Sequence, residues 1–167
     1  MAVHLQMPAR ADETDYPPPQ ASPIRVLLAD DHHAVRRNLR LLLENEDDVD
    51  VIAEADDIAT VLMALSAHVP HVLALDLRMG EGSGVDAIRR LRLEVPQTEI
   101  VVLTMEASLA LAQHSLRAGA VGFVLKDTAD DELVEAVRRA VRGEHYVSGR
   151  VASQLGELRT RAAPASR

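Results

Sequence analysis

The sequence predicts an α/β protein with a doubly wound, five-stranded parallel sheet. Three observations lead to this fold class. Five short apolar runs alternate with five segments that repeat apolar residues at helical spacing, as in successive βα units. The 167 residues are 47% hydrophobic, enough to build one core. Only 2% of the residues are aromatic, so the core must consist of Val, Leu, Ile and Ala, as in many buried parallel sheets.

Each element follows from its residue pattern. The predicted strands are residues 24–29, 49–55, 71–75, 99–104 and 121–125. Apolar residues recur at helical spacing in the first helix (Val35, Leu39, Leu42, Leu43), the second (Ile58, Val61, Leu62, Leu65, Val69) and the last (Leu133, Val137, Ala140, Val141). The fourth helix begins at Ser108 and is expected to end at Gly119, since glycine accepts the positive φ of a helix C-terminus. Right-handed crossovers would place helices on both faces of the sheet.

The chain divides into three segments. Residues 1–23 include Pro17, Pro18 and Pro19 among acidic and small residues and show no periodicity, so we predict a disordered N-terminal tail. Residues 24–143 form the predicted domain. Residues 144–167 are predicted to be a linker with a short amphipathic helix, whose apolar residues are Val151, Leu155 and Leu158.

The composition argues against several classes of function. The formal net charge of -8 at pH 7 disfavours direct binding to nucleic acid, because affinity for a phosphate backbone comes from Lys and Arg. No stretch approaches the roughly 18 consecutive apolar residues of a membrane span, and the N-terminus resembles neither a secretory signal nor a transit peptide. The absence of cysteine excludes disulfides, thiolate metal sites and thiol catalysis. We therefore expect a cytoplasmic protein that contacts neither membrane nor nucleic acid.

Polar residues lie at the carboxyl ends of four predicted strands. Asp30 and Asp31 follow the first strand and Asp76 follows the third. Thr104 ends the fourth strand and Lys126 follows the fifth. In a doubly wound sheet these ends meet at one edge, where ligands bind. An Asp at such a position is often only a helix N-cap, but a random scatter would place some of the five at the other edge. We therefore expect a single site.

The predicted site has the chemistry of phosphoryl transfer. Three neighbouring carboxylates repel one another unless a cation lies among them, and oxygen ligands at an open edge favour Mg²⁺. The ammonium of Lys126 and the hydroxyl of Thr104 would contact phosphoryl oxygens. The carboxylate of Asp76 would then be the nucleophile that forms an aspartyl phosphate, while Mg²⁺ and Lys126 neutralise charge on the transferred group.

Two local patterns suggest other ligands. Residues 82–87 match the G-x-G-x-x-A form of a dinucleotide fingerprint, with Glu106 placed as a ribose ligand would be. However, the first glycine comes six residues after Asp76 instead of directly after the strand, and that carboxylate would face the pyrophosphate. The sequence DDHH adds His32 and His33 to an acidic pair and invites a transition-metal interpretation. Adjacent residues at a helix start point in different directions, so we expect capping and surface roles for both histidines.

Together these motifs resemble the receiver domain of two-component response regulators, most closely the NarL/FixJ (LuxR-type) class. The resemblance covers about residues 24–147 and rests on four stretches in the family's order and spacing: IRVLLADDHHAVRRNLRLLLE, LALDLRMGEGSGVDAI, VVLTMEA and AGAVGFVLKD. It implies the (βα)5 flavodoxin-like fold with strand order 2-1-3-4-5. It also implies Mg²⁺-dependent phosphoryl transfer from a sensor histidine kinase, and a homodimer after phosphorylation.

The resemblance assigns the phosphoacceptor and the metal ligands. It implies that Asp76 accepts the phosphoryl group and also binds the metal. Asp31 would bind Mg²⁺ directly, and Asp30 would act mainly through water. The backbone carbonyl of Arg78 would complete the metal site.

The resemblance also implies a switch. Thr104 and Lys126 would contact the phosphoryl group. Phe123 matches the switch aromatic that turns inward when Thr104 is drawn toward the phosphate, which reshapes the surface of the fourth helix and fifth strand. Phe lacks the hydroxyl of the Tyr often found at this position, so a hydrogen-bonded component of the switch is not expected.

The loops around Asp76 depart from the family pattern. Gly80 stands where the family commonly has proline, which should loosen the loop after Asp76. Arg78 and Glu106 lie two residues beyond Asp76 and Thr104, and the resemblance implies that side chains at these positions influence access of hydrolytic water. We expect the Arg78 and Glu106 side chains to pair across the site and slow dephosphorylation.

The C-terminal stretch GEHYVSGRVASQLGEL looks like the segment that leads from a LuxR-type receiver to its helix-turn-helix domain. The sequence then stops at RTRAAPASR, so DNA would be contacted only through a domain that is not in this chain. A receiver excised from a transcription factor and a stand-alone receiver acting by protein contacts both remain open. A small Mg²⁺-dependent phosphohydrolase with Asp76 as nucleophile is the alternative from another class. We expect a signalling switch and not a turnover enzyme.

Overall fold

The structure of the protein is a computed structural model that describes residues 22–80 and 82–154. The strands are β1 (Ile24–Ala29), β2 (Val49–Ala55), β3 (Val72–Asp76), β4 (Glu99–Thr104), β5 (Gly122–Leu125) and β6 (Tyr146–Val147). The helices are α1 (His33–Glu44), α2 (Ile58–His68), α3 (Gly84–Glu94), α4 (Leu109–Ala118) and α5 (Ala129–Val141). A 3₁₀ turn (Lys126–Thr128) precedes α5, and residues 149–154 are also helical. No helix within the described ranges is long and apolar enough to cross a membrane.

The sheet has the strand order β2-β1-β3-β4-β5-β6, and every neighbouring pair is parallel. This order confirms the predicted arrangement of the first five strands. The sixth strand was not predicted, because two residues carry no periodicity and β6 exists only through its bonds to β5. Asp76 itself is the last residue of β3 and pairs in register with Leu103 of β4, one residue beyond the predicted end of that strand.

Helices cover both faces of the sheet, as the crossover rule predicts. On one face of the sheet, α1 and α5 pack against alternate strand residues such as Val26 and Leu28. On the opposite face, α2, α3 and α4 pack against the intervening strand residues, such as Leu27 and Ala29. The carboxyl ends of β1, β3, β4 and β5 are thus held at one edge by a sheet that is buried on both sides.

The helix ends agree with prediction at α4 and disagree at α2. Gly119 ends α4 with φ of 116°, and the Ser108 side chain caps its start by accepting from the amide of Leu111 at 3.2 Å. Val69 was placed on the apolar face of α2, but it lies beyond the helix end with φ of 45° and is 46% exposed. Pro70 explains the difference, since the residue before a proline is disfavoured in helical conformation.

The packed fold continues past residue 143, the predicted end of the domain. β6 extends the sheet, and Val151 is completely buried in the same hydrophobic cluster as Phe123. Residues 1–21 of the predicted tail, and Leu155 and Leu158 of the predicted helix, lie outside the described residues.

Gly122 provides a test of how tightly β5 is packed against β4. A Cβ atom at Gly122 would lie 2.9 Å from Cγ1 of Val101 on β4. Gly122→Ala is therefore expected to lower the free energy of unfolding by about 1–3 kcal/mol, the usual cost of overpacking. Gly149→Ala is the matched control, because its Cβ would meet only Glu132 Oε1 at 3.9 Å. Urea denaturation checks both variants, and equal midpoints for the two would contradict this account of the packing.

Candidate functional site

The structure brings the predicted acidic residues and the lysine together at the carboxyl edge of the sheet. The ammonium of Lys126 lies 2.7 Å from Oδ2 of Asp30 and 2.9 Å from Oδ2 of Asp76. The exposed fractions are 0% for Asp30 and 2% for Asp76. Two buried carboxylates are thus bridged by a single cation, as burial of charge requires.

Backbone amides orient both buried carboxylates. The amide of His32 donates to Oδ1 of Asp30 at 2.8 Å, and the amide of Arg78 donates to Oδ1 of Asp76 at 3.1 Å. Each aspartate therefore accepts from the residue two positions later and keeps its second oxygen toward Lys126. This geometry places the buried Oδ2 of Asp76 beside Lys126 at the carboxyl edge of the sheet, the position expected of a nucleophile.

Asp31 and His32 form a second, more exposed pair beside the buried carboxylates. Nδ1 of His32 lies 2.7 Å from Oδ1 of Asp31 and 3.5 Å from Oδ1 of Asp30. His32 occupies the N-cap position of α1 and is 65% exposed, as the expected surface role requires, but its side chain makes no cap hydrogen bond. The backbone of His32 is extended (φ of -88°, ψ of 101°), as is usual for an N-cap residue, and its imidazole lies beside the acids instead of capping the helix.

The donor set fits a divalent cation. One ligand atom each from Asp30, Asp31, His32 and Asp76 falls within 4.8 Å of the others. Three of these four donors are carboxylate oxygens, the ligands that Mg²⁺ prefers. The Oδ2 atoms of Asp30 and Asp76 are buried and have no hydrogen-bond donor besides the Lys126 ion pairs. The metal role of the Arg78 carbonyl stays a prediction.

Thr104 lies at the end of β4, where the sequence placed it, and is 2% exposed. Its hydroxyl oxygen accepts from the amide of Glu106 at 3.1 Å, which ties the following loop to the strand end. A cleft of about 150 Å³ next to Thr104 is lined by Arg78 and Glu106, among others. Within the described residues no ion pair joins these two side chains, so the expected pairing is wrong, although both line the cleft.

Phe123 is completely buried in the core of the sheet's α2–α4 face. The Phe123 ring is therefore already inside the core, although the Thr104 hydroxyl is bonded to the Glu106 amide and not drawn toward a phosphoryl group. The role of Phe123 as the switch aromatic stays a prediction. An inward rotation coupled to Thr104 would have to begin from a state in which the Phe123 ring is exposed.

The loop after Asp76 contains backbone that proline cannot adopt. Gly80 has φ of 83° and Gly82 has φ of 104°, both in the left-handed region that favours glycine. The positive φ angles of the glycines thus define the path of the loop, in addition to the flexibility that was predicted for it.

The sequence analysis did not identify Arg36 on α1 as part of the carboxyl edge. Its guanidinium donates to the carbonyl oxygen of Asp30 at 2.5 Å and holds the end of β1.

The charge of Lys126 can be tested directly. Burial alone would lower the pKa of its ammonium, but the hydrogen bonds to Asp30 and Asp76 and the attraction to their charges together raise the pKa above the ordinary value of 10.5. The charged ammonium of Lys126 therefore stabilises the folded state fully below the pKa that it has in the unfolded chain. This stabilisation is lost as pH rises through its pKa in the folded state. Lys126 is the only lysine in the sequence, so ¹⁵N-lysine labelling gives one ammonium signal. Titration of that signal at or below pH 10.5 would contradict this arrangement.

A cavity of about 640 Å³ opens at the other end of the sheet and is lined by Ser22, Ile24, His71 and Glu99, among others. These residues lie at the amino ends of the strands. The acidic cluster and Lys126 do not reach it, so the cavity is separate from the candidate site.

The sequence is similar to a known protein family and to curated proteins. Residues 26–138 match the family model described as response regulator receiver domain. The oxygen regulatory protein NreC of Staphylococcus epidermidis is 35% identical over 133 residues, which are 79% of this chain and 61% of NreC. The probable transcriptional regulatory protein NarL of Mycobacterium tuberculosis is 35% identical over 147 residues, which are 87% of this chain and 68% of that protein. The chain thus spans about three fifths of the length of NreC.

Solved structures show the same fold. A LuxR-family two-component response regulator from Aurantimonas sp. SI85-9A1 superimposes with a TM-score of 0.78 at 31% identity, covering 83% of this chain and 99% of that one. RcsB of Salmonella typhimurium superimposes with a TM-score of 0.79 at 28% identity, covering 87% of this chain and 72% of RcsB. The dinucleotide interpretation of residues 82–87 gains no support from these matches.

Proposed function

Because the chain belongs to the response regulator receiver domain family, we propose that it accepts a phosphoryl group on Asp76 from a sensor histidine kinase in a Mg²⁺-dependent reaction. The observation that carries the proposal is the bridge between Asp76, Lys126 and Asp30, with ion-pair distances of 2.9 and 2.7 Å. It supplies a nucleophile, a fixed cation and a buried acid at one edge of the sheet. Such a constellation suits phosphoryl transfer, where positioning and charge neutralisation provide most of the catalysis.

In the proposed reaction, Oδ2 of Asp76 attacks the phosphorus of a phosphohistidine. The new O–P bond forms as the N–P bond breaks, and the imidazole of the kinase leaves with the bonding electron pair. Lys126 lies beside the attacking oxygen and would follow the phosphoryl oxygens as charge moves onto them. The hydroxyl of Thr104 would donate to another phosphoryl oxygen.

The ligands of the proposed cation are Asp31 and Asp76, with the backbone carbonyl of Arg78 and with Asp30 acting mainly through water. A bound Mg²⁺ would neutralise the acidic cluster and polarise the transferring phosphoryl group. His32 is not proposed as a ligand, because its Nδ1 lies 2.7 Å from Oδ1 of Asp31 and is already in contact with that carboxylate.

The proposed biological role is a phosphorylation-controlled switch in the cytoplasm, and not a turnover enzyme. NreC and NarL carry names of regulatory proteins, and the solved neighbour from Aurantimonas is described as LuxR family. These names support a LuxR-type transcriptional output reached through parts of the protein beyond the receiver. The proposed role includes a homodimer after phosphorylation; a structure of two RcsB dimers bound to two parallel DNAs supports the dimer. A stand-alone receiver that acts by protein contacts is the alternative output.

The proposed function is tested by incubating the chain with acetyl phosphate and Mg²⁺ and measuring the intact mass. We expect a mass increase of one phosphoryl group, absent when EDTA replaces Mg²⁺. Digestion under acidic conditions should place the group on the peptide that contains Asp76. A phosphoryl adduct that forms equally in EDTA, or that maps to another peptide, would refute the proposal.

The lifetime of the phosphoryl group should depend on the cleft beside Thr104. Arg78 and Glu106 narrow this opening, so Arg78→Ala and Glu106→Ala are each expected to admit hydrolytic water and accelerate dephosphorylation severalfold. The decay of the intact-mass adduct after removal of the phosphodonor measures the rate. Arg37→Ala, which removes an exposed arginine of α1, is the control. Unchanged lifetimes in both cleft variants would show that these side chains do not restrict water.

A further inference from the structure

The second strand contains one extra residue relative to the first. Val26 of β1 pairs with Val51, but the next residue, Leu27, pairs with Ala53, so Ile52 has no partner in β1. An extra residue of this kind turns every later side chain of the strand to the other face of the sheet. In a regular strand Val51 and Ala53 would share a face. Instead, Val51 packs on the α1 and α5 face and Ala53 on the opposite face.

The extra residue places Glu54 on the same face as α1. In a regular strand its side chain would lie on the face opposite to that of Val51. Its carboxylate instead meets two arginines of α1: Oε2 lies 2.7 Å from Nη1 of Arg40, and Oε1 lies 3.3 Å from Nε of Arg36. The Arg36 side chain is only 14% exposed, so its attraction to Glu54 is partly shielded from water. The bulged strand thus supplies a counter-charge for Arg36.

Arg36 connects this carboxylate to the acidic edge of the sheet. Its Nη1 donates to the carbonyl oxygen of Asp30 at 2.5 Å. On the other side of the same residue, the amide of Asp30 donates to the carbonyl oxygen of Ala55 at 3.1 Å. The carbonyl that Arg36 holds belongs to the peptide unit that joins Asp30 to Asp31. Arg36 therefore fixes the backbone from which both acidic side chains project.

We propose that Arg36, held by Glu54, is a positioning residue of the phosphoryl-transfer site and that it raises the affinity of this site for Mg²⁺. The inference rests on the proposed function. Nη1 and Nε of Arg36 contact the Asp30 carbonyl and Glu54 at the same time, which a planar guanidinium permits and a single ammonium does not. With the carbonyl held, the carboxylates of Asp30 and Asp31 keep fixed positions. Mg²⁺ tolerates little deviation from its preferred ligand geometry, so fixed carboxylates favour its binding.

Removing the guanidinium distinguishes an effect of position from an effect of charge. As a positive charge alone, Arg36 repels a cation, so its removal would strengthen Mg²⁺ binding. As a positioning residue it supports the ligands, and Arg36→Met should weaken Mg²⁺ binding about 10-fold. Titration of the full chain with Mg²⁺ alone measures the affinity, with the ¹⁵N signal of the single lysine, Lys126, as reporter. Equal or tighter Mg²⁺ binding in Arg36→Met than in the wild type would overturn the inference.

Arg40→Met is the matched control for Arg36→Met. Arg40 lies on the same helix and shares Glu54 with Arg36, but its other partner is Glu44, at 2.8 Å, instead of the Asp30 carbonyl. Arg40→Met should therefore keep the Mg²⁺ affinity of the wild type. A 10-fold loss of affinity in both variants would indicate a general effect of the ion-pair network and would overturn the assignment to Arg36.

Glu54→Gln decides the question if Arg36→Met does not fold. It removes the counter-charge and should weaken Mg²⁺ binding severalfold, whereas Glu44→Gln, which removes the same charge from the Arg40 pair, should not. Wild-type affinity in Glu54→Gln would overturn the inference. Intact mass after treatment with acetyl phosphate and Mg²⁺ separates the two proposals. Absence of a phosphoryl adduct on the wild type would refute the proposed function, whereas a normal adduct with unchanged Mg²⁺ affinities in the variants would overturn the inference alone.

Discussion

Replacing Asp76 by asparagine is expected to abolish covalent phosphorylation while leaving the protein folded. Asparagine keeps the shape of the side chain but lacks the nucleophilic carboxylate, so no O–P bond forms at this position. Lys126 keeps its second partner, Asp30, at 2.7 Å. The melting temperature should therefore stay equal to that of the wild type or rise, because one of three mutually repelling acids has been removed.

Intact mass after treatment with acetyl phosphate and Mg²⁺ measures this effect. Asp86→Asn is the matched control, since Asp86 lies on the exposed side of α3 and pairs with Arg89 away from the cluster. The control should gain one phosphoryl group like the wild type. A phosphoryl adduct on Asp76→Asn would mean that the phosphoacceptor is another residue.

Replacing Lys126 by methionine should have the second large effect, on both reaction and stability. The side chain of Lys126 is only 7% exposed and is the cation between two buried carboxylates. Without the ammonium, phosphoryl transfer should slow by about 100-fold, the usual cost of losing one preorganised group that stabilises transition-state charge. In EDTA, the free energy of unfolding should fall by about 3 kcal/mol, because breaking a buried ion pair leaves uncompensated charge.

Addition of Mg²⁺ distinguishes loss of charge from general disruption. A divalent cation that binds the folded state stabilises it by mass action, and the Lys126→Met site, freed of its competing ammonium, should bind it more tightly. The variant should therefore gain more in melting temperature from Mg²⁺ than the wild type does. Arg37→Met removes an exposed cation of α1 and should change neither the rate of phosphoryl transfer nor the gain in melting temperature from Mg²⁺. Equal Mg²⁺ responses in Lys126→Met and the wild type would contradict the assignment of Lys126 to the metal-binding edge.

The first five strands and the acidic cluster were predictable because their signals are local. Buried parallel strands are continuous apolar runs, and the residue that follows each run must lie at the carboxyl edge. Asp30, Asp76 and Lys126 could thus be placed together before any contact was known. Their hydrogen-bond partners could not, since the Arg78 amide that holds Asp76 belongs to a loop whose path depends on tertiary packing.

The predictions that failed depend on backbone conformation and on contacts distant in sequence. His32 occupies the N-cap position of α1, but its imidazole lies beside Asp31 instead of capping the helix, and a sequence pattern does not determine that choice of rotamer. β6 forms only because the edge of β5 accepts it, and its two residues have no pattern of their own. The Arg78 and Glu106 side chains were expected to form an ion pair because each lies two residues after the end of a neighbouring strand. Position along the chain determines neither the side-chain rotamers nor the width of the cleft.

The backbone of Gly80 has a consequence for protein engineering. A common route to higher stability replaces each residue by the one most frequent among relatives, and the family resemblance points to proline at this position. Proline restricts φ to about -65°, whereas Gly80 has φ of 83°. That consensus substitution would force the loop after Asp76 to be rebuilt, so a stabilised version of this protein should keep glycine at position 80.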